Sequence, residues 1–193
     1  SGRWRHYRHA VGVIMYSKGS DKMQTQSYLL SILVDDEPGV LSRIAGLFSG
    51  RGFNINSLSV ANTAEPDVSR ITMVTRCDAH IIEQIKKQLH KLINVITVND
   101  LTDKKYIQRQ LSLIKVNAQA EKKAEILRIV DIFRCKVVDV GSSHYTIEVS
   151  GDPDKHEAII SLFQPMGIIE IASTGAIALA RGEKPKGQNG KGR

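Results

Sequence analysis

Between residues 28 and 172 the spacing of apolar side chains changes between two and three-to-four, and it does so in the same order twice: strand, helix, strand, strand, helix, strand. Few folds satisfy that order. In the first round, residues 29–34 form a near-continuous apolar run, suited to the middle of a sheet covered on at least one face. Val40, Leu41, Ile44, Ala45 and Phe48 then repeat at helical spacing, and Gly50 and Gly52 stop that helix with the residue type that best adopts a left-handed cap. Residues 55–61 and 71–75 read as two β segments joined by a polar loop over residues 62–69, where Glu65, Pro66 and Asp67 mark a turn. Ile55 is out of phase with Leu58 and Val60, which a bulge would explain. Asp78 is placed to cap a second helix, whose inner face is Ile81, Ile82, Ile85, Leu89, Leu92 and Ile93, with Lys86, Lys87 and Lys91 on the solvent side. Residues 95–98 close the round.

The second round follows a polar connector over residues 101–109. Residues 111–116 read as a strand, and residues 121–133 as a helix buried through Ile126, Leu127, Val130 and Phe133. A strand over residues 136–140 leads to a tight turn at residues 141–144, after which Tyr145, Ile147 and Val149 alternate with Thr146 and Glu148 in a half-buried strand. Asp154 and Glu157 have the spacing of a capping box ahead of Ile159, Ile160 and Phe163, and residues 168–172 supply the last strand. Each round can form a four-stranded antiparallel sheet with both helices on one face. The expected fold class is therefore α+β: two ferredoxin-like βαββαβ domains over residues 27–103 and 110–183, joined by a linker at 104–109. Residues 1–26 and 184–193 fall outside both domains and are expected to be disordered.

The net charge of +7 invites a nucleic-acid reading, so its location matters more than its size. Residues 1–22 carry +4 and residues 181–193 carry another +4, leaving −1 for residues 23–180. The body is nearly neutral. The basic leader reads as a tag or a targeting remnant ahead of a start at Met23. Recognition of RNA by such a fold needs stacking aromatics on the sheet, but Arg51-Gly52-Phe53 runs on into Asn54-Ile55 and aromatics are only 5% of the chain. No apolar run approaches the ~18 residues of a membrane span. Cys77 and Cys135 are far apart and lie beside or within strands, which reads as two free buried thiols in a reducing compartment. The six histidines are scattered and read as surface residues, and Ser42 has no histidine near it in sequence, so no catalytic constellation is evident.

One join does suggest chemistry. The run Leu33-Val-Asp-Asp-Glu-Pro-Gly-Val-Leu41 reads as a strand, an acidic turn and a helix opening. A helix leaves its first N–H groups without partners and carries partial positive charge there, so a small carboxylate can dock without a basic side chain. Gly39 lets a ligand come close. The alternatives are that Pro38 and Gly39 only make the turn, and that Asp36 only caps the helix.

These residues also carry a resemblance. The run Tyr28-Leu-Leu-Ser-Ile-Leu-Val-Asp-Asp-Glu-Pro-Gly-Val-Leu41, continuing through Arg51-Gly-Phe-Asn-Ile55 to Val60, resembles the ACT domain of acetolactate synthase small subunits. Ser69-Arg-Ile-Thr-Met73 and Glu83-Gln-Ile-Lys-Lys-Gln-Leu-His-Lys-Leu92 extend the match. So do Ile132-Phe-Arg134, Val138-Asp-Val140 and Ile171-Ala-Ser-Thr-Gly-Ala176 in the second round. The resemblance spans about residues 27–183.

It implies a regulatory subunit without catalysis of its own. Such a subunit binds and activates the catalytic large subunit of acetolactate synthase and confers feedback inhibition by valine or another branched-chain amino acid. Thiamine diphosphate, FAD and magnesium would belong to that catalytic partner, leaving no cofactor on this chain. The resemblance further implies a homodimer through the ACT domains, with the effector between chains: Asp36, Gly39, Val40 and Leu41 from one, Asn54 and Ile55 from the other. Many relatives carry asparagine where this chain has Asp36, whose charge would attract the ammonium group of an amino acid and repel its carboxylate. Residues 110–183 are the expected contact with the catalytic subunit. Cytoplasm is the expected compartment, or a plastid if the leader is a transit remnant. The competing reading is a free-standing amino-acid sensor that controls another protein; a third is a nucleic-acid binder using the basic ends.

Overall fold

The computed structural model describes residues 25–50 and 54–182. The basic leader up to residue 24, Gly52 and the tail from residue 183 lie outside the described residues.

The first unit comprises β1 (Gln26–Asp35), α1 (Val40–Ser49), β2 (Ile55–Asn62), β3 (Val68–Cys77), α2 (Ala79–Leu89) and β4 (Val95–Asp100). Its sheet has the order β2-β3-β1-β4, with every neighbouring pair antiparallel. Alternate residues of β1 decide the core: Tyr28, Leu30, Ile32 and Val34 turn towards the helices and meet Val40, Ile44 and Phe48 of α1 and Ile82, Ile85 and Leu89 of α2. Fully burying a side chain such as Phe48 or Leu30 contributes about 1.5–3 kcal/mol, so this stripe fixes which face of the sheet the helices cover. The bulge at the start of β2 is present: the register shifts between Ile55 and Ser57, leaving Asn56 unpaired.

The second unit repeats the plan with β5 (Tyr106–Asn117), α3 (Ala120–Ile132), β6 (Lys136–Val140), β7 (His144–Gly151), α4 (Pro153–Phe163) and β8 (Ile168–Ser173), in the sheet order β6-β7-β5-β8. Ile114, Val116, Ile126, Val130, Tyr145, Ile147, Val149, Ile159 and Phe163 form its core. A ninth strand, β9 (Ile177–Ala180), pairs antiparallel with Tyr106, Ile107, Gln108 and Arg109 of β5.

Several expectations need correction. Tyr106–Arg109, expected within the linker, are the first residues of β5, and Gln26, expected in the leader, opens β1. Helix α2 ends at Leu89, so Ile93 falls out of phase and is 90% exposed. Leu127 points outward, and Ile129 takes the core place expected of it. Gly50 ends α1 in a right-handed conformation, φ −64°, not a left-handed one. Asp78 occupies the cap position of α2 without capping, and its Oδ1 is buried with no hydrogen-bond partner. The cap of α4 is Asp152, whose Oδ1 accepts from the Lys155 amide at 2.9 Å; Pro153, lacking a donor, fills the first helical position, and Asp154 lies one residue inside.

His156 is also not a surface residue. It is fully buried, with Nε2 at 3.0 Å from the Gln110 carbonyl oxygen and Nδ1 at 3.1 Å from Ser112 Oγ, which in turn lies 2.7 Å from Ser173 Oγ. The carbonyl can only accept, so Nε2 carries the proton and Nδ1 accepts from the serine. Burial pushes the imidazole pKa below its ordinary 6.5, outweighing the opposing pull of the Gln110 carbonyl. Of the two cysteines, both free, Cys77 is buried and Cys135 only partly so; burial raises both thiol pKa values.

The units are joined by a short, tied connection. Asp100 Oδ1 accepts from the amide and the hydroxyl of Thr102, Oδ2 accepts from Lys86 Nζ at 3.2 Å, and Thr102 Oγ1 accepts from the Leu29 amide. Burial alone would raise the Asp100 pKa; the Thr102 and Lys86 donors outweigh it and hold the carboxyl below its usual range. Leu29, Leu101 and Ala178 form a small shared core with Val74 and Tyr106 beside it, so the β5–β9 ribbon leans on the helix-free face of the first sheet. Among the described residues no helix is long and apolar enough to cross a membrane.

Candidate effector site at the start of the first helix

The loop between β1 and α1 leaves the sheet beside β3, where Asp35 pairs with Val68. Two backbone bonds hold it down: the Asp36 amide donates to the Asp67 carbonyl at 2.8 Å, and the Glu37 amide to the Asp35 carbonyl at 2.9 Å. Asp67 sits at φ +57°, a left-handed turn position that aspartate tolerates, and this aims its carbonyl at the loop. Gly39 then takes φ +87° as the N-cap of α1 and contributes no capping side chain, and no acidic residue stands in the first turn. The Gly39 carbonyl accepts from Arg43, whereas the amides of Leu41 and Ser42 have no backbone acceptor among the described residues. The positive end of α1 thus faces outward, answered neither by a cap nor by a carboxylate of its own first turn.

Beneath this loop lies a residue that the sequence reading passed over. Asn94, 6% exposed, accepts from Arg43 Nη1 through Oδ1 at 2.6 Å and donates through Nδ2 to Glu37 Oε2 at 2.7 Å, while its carbonyl accepts from the Asp35 amide at 2.9 Å. One side chain therefore ties the loop, the first helix and the entry to β4 together. The signal was a single polar residue inside the apolar run Leu92-Ile93-Asn94-Val95-Ile96. Buried amides are rarely left unpaired, so such a residue points to a network.

The expected site residues divide into two groups. Asp36 and Gly39 are exposed at the loop, and Leu41, assigned by its spacing to the core, is instead 42% exposed on the outer side of the helix start. Val40 turns inward to the first core, leaving its backbone at the loop. Asn54 and Ile55 lie elsewhere. Asn54 is exposed and its carbonyl accepts from Thr75 Oγ1 at 2.8 Å, while Ile55 pairs with Thr75 and packs partly on the first core. Thr75 lies seven positions along β3 from Val68, so within one chain the two groups are roughly 23 Å apart.

Tandem ferredoxin-like units, the first opening its helix on an uncapped glycine, have the architecture of the class to which ACT domains belong. The family model described as the AHAS small subunit-like ACT domain matches residues 30–97, and the one described as the small subunit of acetolactate synthase matches residues 109–182. Among curated proteins, the acetolactate synthase small subunit of Mycolicibacterium smegmatis is 47% identical over 160 residues, covering 83% of this chain and 94% of its own length. That of Aquifex aeolicus is 47% identical over 161 residues, covering 83% and 84%. Among solved structures, the small subunit from Thermotoga maritima superposes with a TM-score of 0.74 at 38% identity, covering 82% of this chain and 99% of that one. The chain belongs to the acetolactate synthase small-subunit family.

Proposed function

We propose that this chain is the regulatory subunit of an acetolactate synthase: it binds and activates the catalytic large subunit, and it carries feedback inhibition by valine or another branched-chain amino acid. The observation that carries the effector half of this reading is the bare start of α1. Its free amides suit the carboxylate of an amino acid, Asp36 suits the ammonium group, and the exposed face of Leu41 suits a branched side chain. Thiamine diphosphate, FAD and magnesium belong, in this reading, to the catalytic partner, and the cytoplasm is the working compartment.

The strand order supports a site completed by a second copy. β2 is the outer strand of its sheet, and its far edge has no strand beside it among the described residues. Its Asn62 end pairs with Ser69, next to where Asp35 pairs with Val68, so that end lies two strand spacings, about 10 Å, from the loop. Two copies joined antiparallel through β2 about a two-fold axis would set the Ile55 end of one beside the Asn62 end of the other. Asn54 and Ile55 of one chain would then lie three strand spacings, about 15 Å at backbone level, from the Asp36-to-Leu41 loop of the other, narrowing the roughly 23 Å that a single chain leaves.

The test reconstitutes the chain with an acetolactate synthase catalytic subunit and titrates valine, leucine and isoleucine, both calorimetrically on the chain alone and by acetolactate formation. The wild type should activate the enzyme and make it sensitive to at least one of the three. Gly39→Asp sets a carboxylate where the effector's own would sit and should weaken binding by about 100-fold, or about 2.7 kcal/mol, with activation kept. Any side chain at φ +87° is strained, although an added Cβ meets nothing within 4 Å, so Gly39→Ala is the control that carries the strain without the charge. Full amino-acid sensitivity in Gly39→Asp would remove the loop from the site.

A further inference from the structure

The two units meet at a contact that neither main core requires. Gly175, in the turn from β8 to β9, has φ +81°, and a Cβ added there would stand 2.9 Å from Ser57 Oγ and 3.0 Å from the Leu58 carbonyl oxygen of the first unit. One of those neighbours is backbone, and a side chain is strained at this φ, so any substitution here presses on the first unit. The next residue, Ala176, is buried, and its amide donates to Ser57 Oγ at 2.8 Å across 119 residues of sequence. The serine hydroxyl is thus the acceptor for a buried backbone donor of the other unit.

Ser57 also occupies a particular place in β2. It is the first residue after the bulge: Ile55 pairs with Thr75, Ser57 with Val74, and Asn56 is the extra residue between them. Val74 belongs to the helix-free face, where the β5–β9 ribbon rests. Side chains alternate along a strand, so moving the extra residue by one position would turn Ser57 to the opposite face and withdraw its hydroxyl from Ala176. Asn54 and Ile55, the second half of the effector site, are only three and two residues upstream.

We propose that Ser57, with Gly175 and Ala176, is a latch that relays occupancy of the first unit's effector site to the second unit, the β2 bulge being the element with two settings. This rests on the amino-acid-sensing reading and names how the signal leaves the site. A ligand contacting Asn54 and Ile55 favours one register of the bulge, and that register decides whether the β8–β9 turn stays docked. Differential affinity for the two settings is what such a relay requires.

The experiment compares wild type, Ser57→Ala, Ser57→Thr and Gly175→Ala, each as the full chain alone and reconstituted with the catalytic subunit, using valine as the probe. Calorimetry on the chain alone should still show saturable valine binding in all three variants, while the valine concentration for half-inhibition should rise at least about tenfold in Ser57→Ala and Gly175→Ala. Ser57→Thr keeps the accepting oxygen and should restore inhibition, which a merely structural defect would not allow. Amide exchange at Ala176 should quicken in Ser57→Ala and not in Ser57→Thr. If Gly175→Ala fails to fold, the serine pair still decides. Wild-type binding and inhibition with unchanged half-inhibition in both Ser57→Ala and Gly175→Ala would overturn the latch alone. No binding of, and no inhibition by, any of valine, leucine and isoleucine in the wild type would overturn the sensing reading, and the latch with it.

Discussion

The two strand-to-helix corners of this chain have the same topology and opposite finish. In the first unit, α1 opens on Gly39 with no capping side chain and no acid in its first turn. In the second, α3 opens after Gln119 with Glu121 in its first turn, and Ala118 before it is fully buried with its amide bound to the Ser143 carbonyl at 2.8 Å. Lys122 then reaches across to the Met166 carbonyl at 3.0 Å. Neither helix start has a capping side chain, but the second sets a carboxylate in its own first turn and the first does not. Repeating a βαββαβ plan therefore does not repeat the charge set against its helix ends, because a few residues at each corner decide it.

The comparison can be broken first at its foundation, the separateness of the two cores. Phe48 and Phe163 are each fully buried in their own core, so Phe48→Ala and Phe163→Ala should each cost about 3–5 kcal/mol. With a shared core as small as Leu29, Leu101 and Ala178 between the units, urea unfolding followed by residue-specific exchange should show each variant moving one transition. A single shared shift in both would mean that the corners belong to one cooperative unit.

A smaller effect comes from acid. The buried His156 has its pKa lowered below 6.5, so as pH falls through about 6.5 the unfolded chain takes up a proton that the folded chain refuses. Stability should decline from there down to the folded pKa, by up to about 1.4 kcal/mol per pH unit, with Asp152 and Lys155 acting on the imidazole in opposite senses. His156→Gln can still donate to the Gln110 carbonyl and accept from Ser112. It should lower stability at neutral pH by about 1–3 kcal/mol and flatten the decline, and a thermal melt at pH 7.5 and 5.5 reads both. An equal acid response in the variant would place the titrating group elsewhere.

The smallest effect sharpens the contrast of the corners. Glu121→Gln removes the internal counter-charge of α3 and should cost about 0.3–1 kcal/mol without creating amino-acid binding, because Ala118 keeps that corner closed. Calorimetry showing a second binding event would mean that charge alone distinguishes the two corners.

The architecture was legible because its signals are local. Among the described residues, apolar period located all four α-helices and eight of the nine strands, and the phase conflict of Ile55 with Leu58 found the bulge. What escaped depends on distant partners. β9 hides in an apolar stretch that periodicity cannot divide, and the start of β5 follows Lys104 and Lys105, which read as connector until β9 supplies its mate. His156 sits among charged residues and only the fold buries it against Ser112. At the candidate site, Gly39 was visible from its neighbours Pro38 and Val40, but the support from Asn94 requires knowing that β4 enters beneath the loop.

The unbroken run of β5 has a consequence for how such a chain can be divided. Its twelve residues serve β9 at one end and both β7 and β8 at the other, so a cut at residue 109 or 110 severs a strand and strands β9 without its mate. Residues 103–105, exposed and between ladders, are where a protease would nick the molecule with least damage, and where recombination could exchange one half for another while leaving every hydrogen-bonded ladder whole.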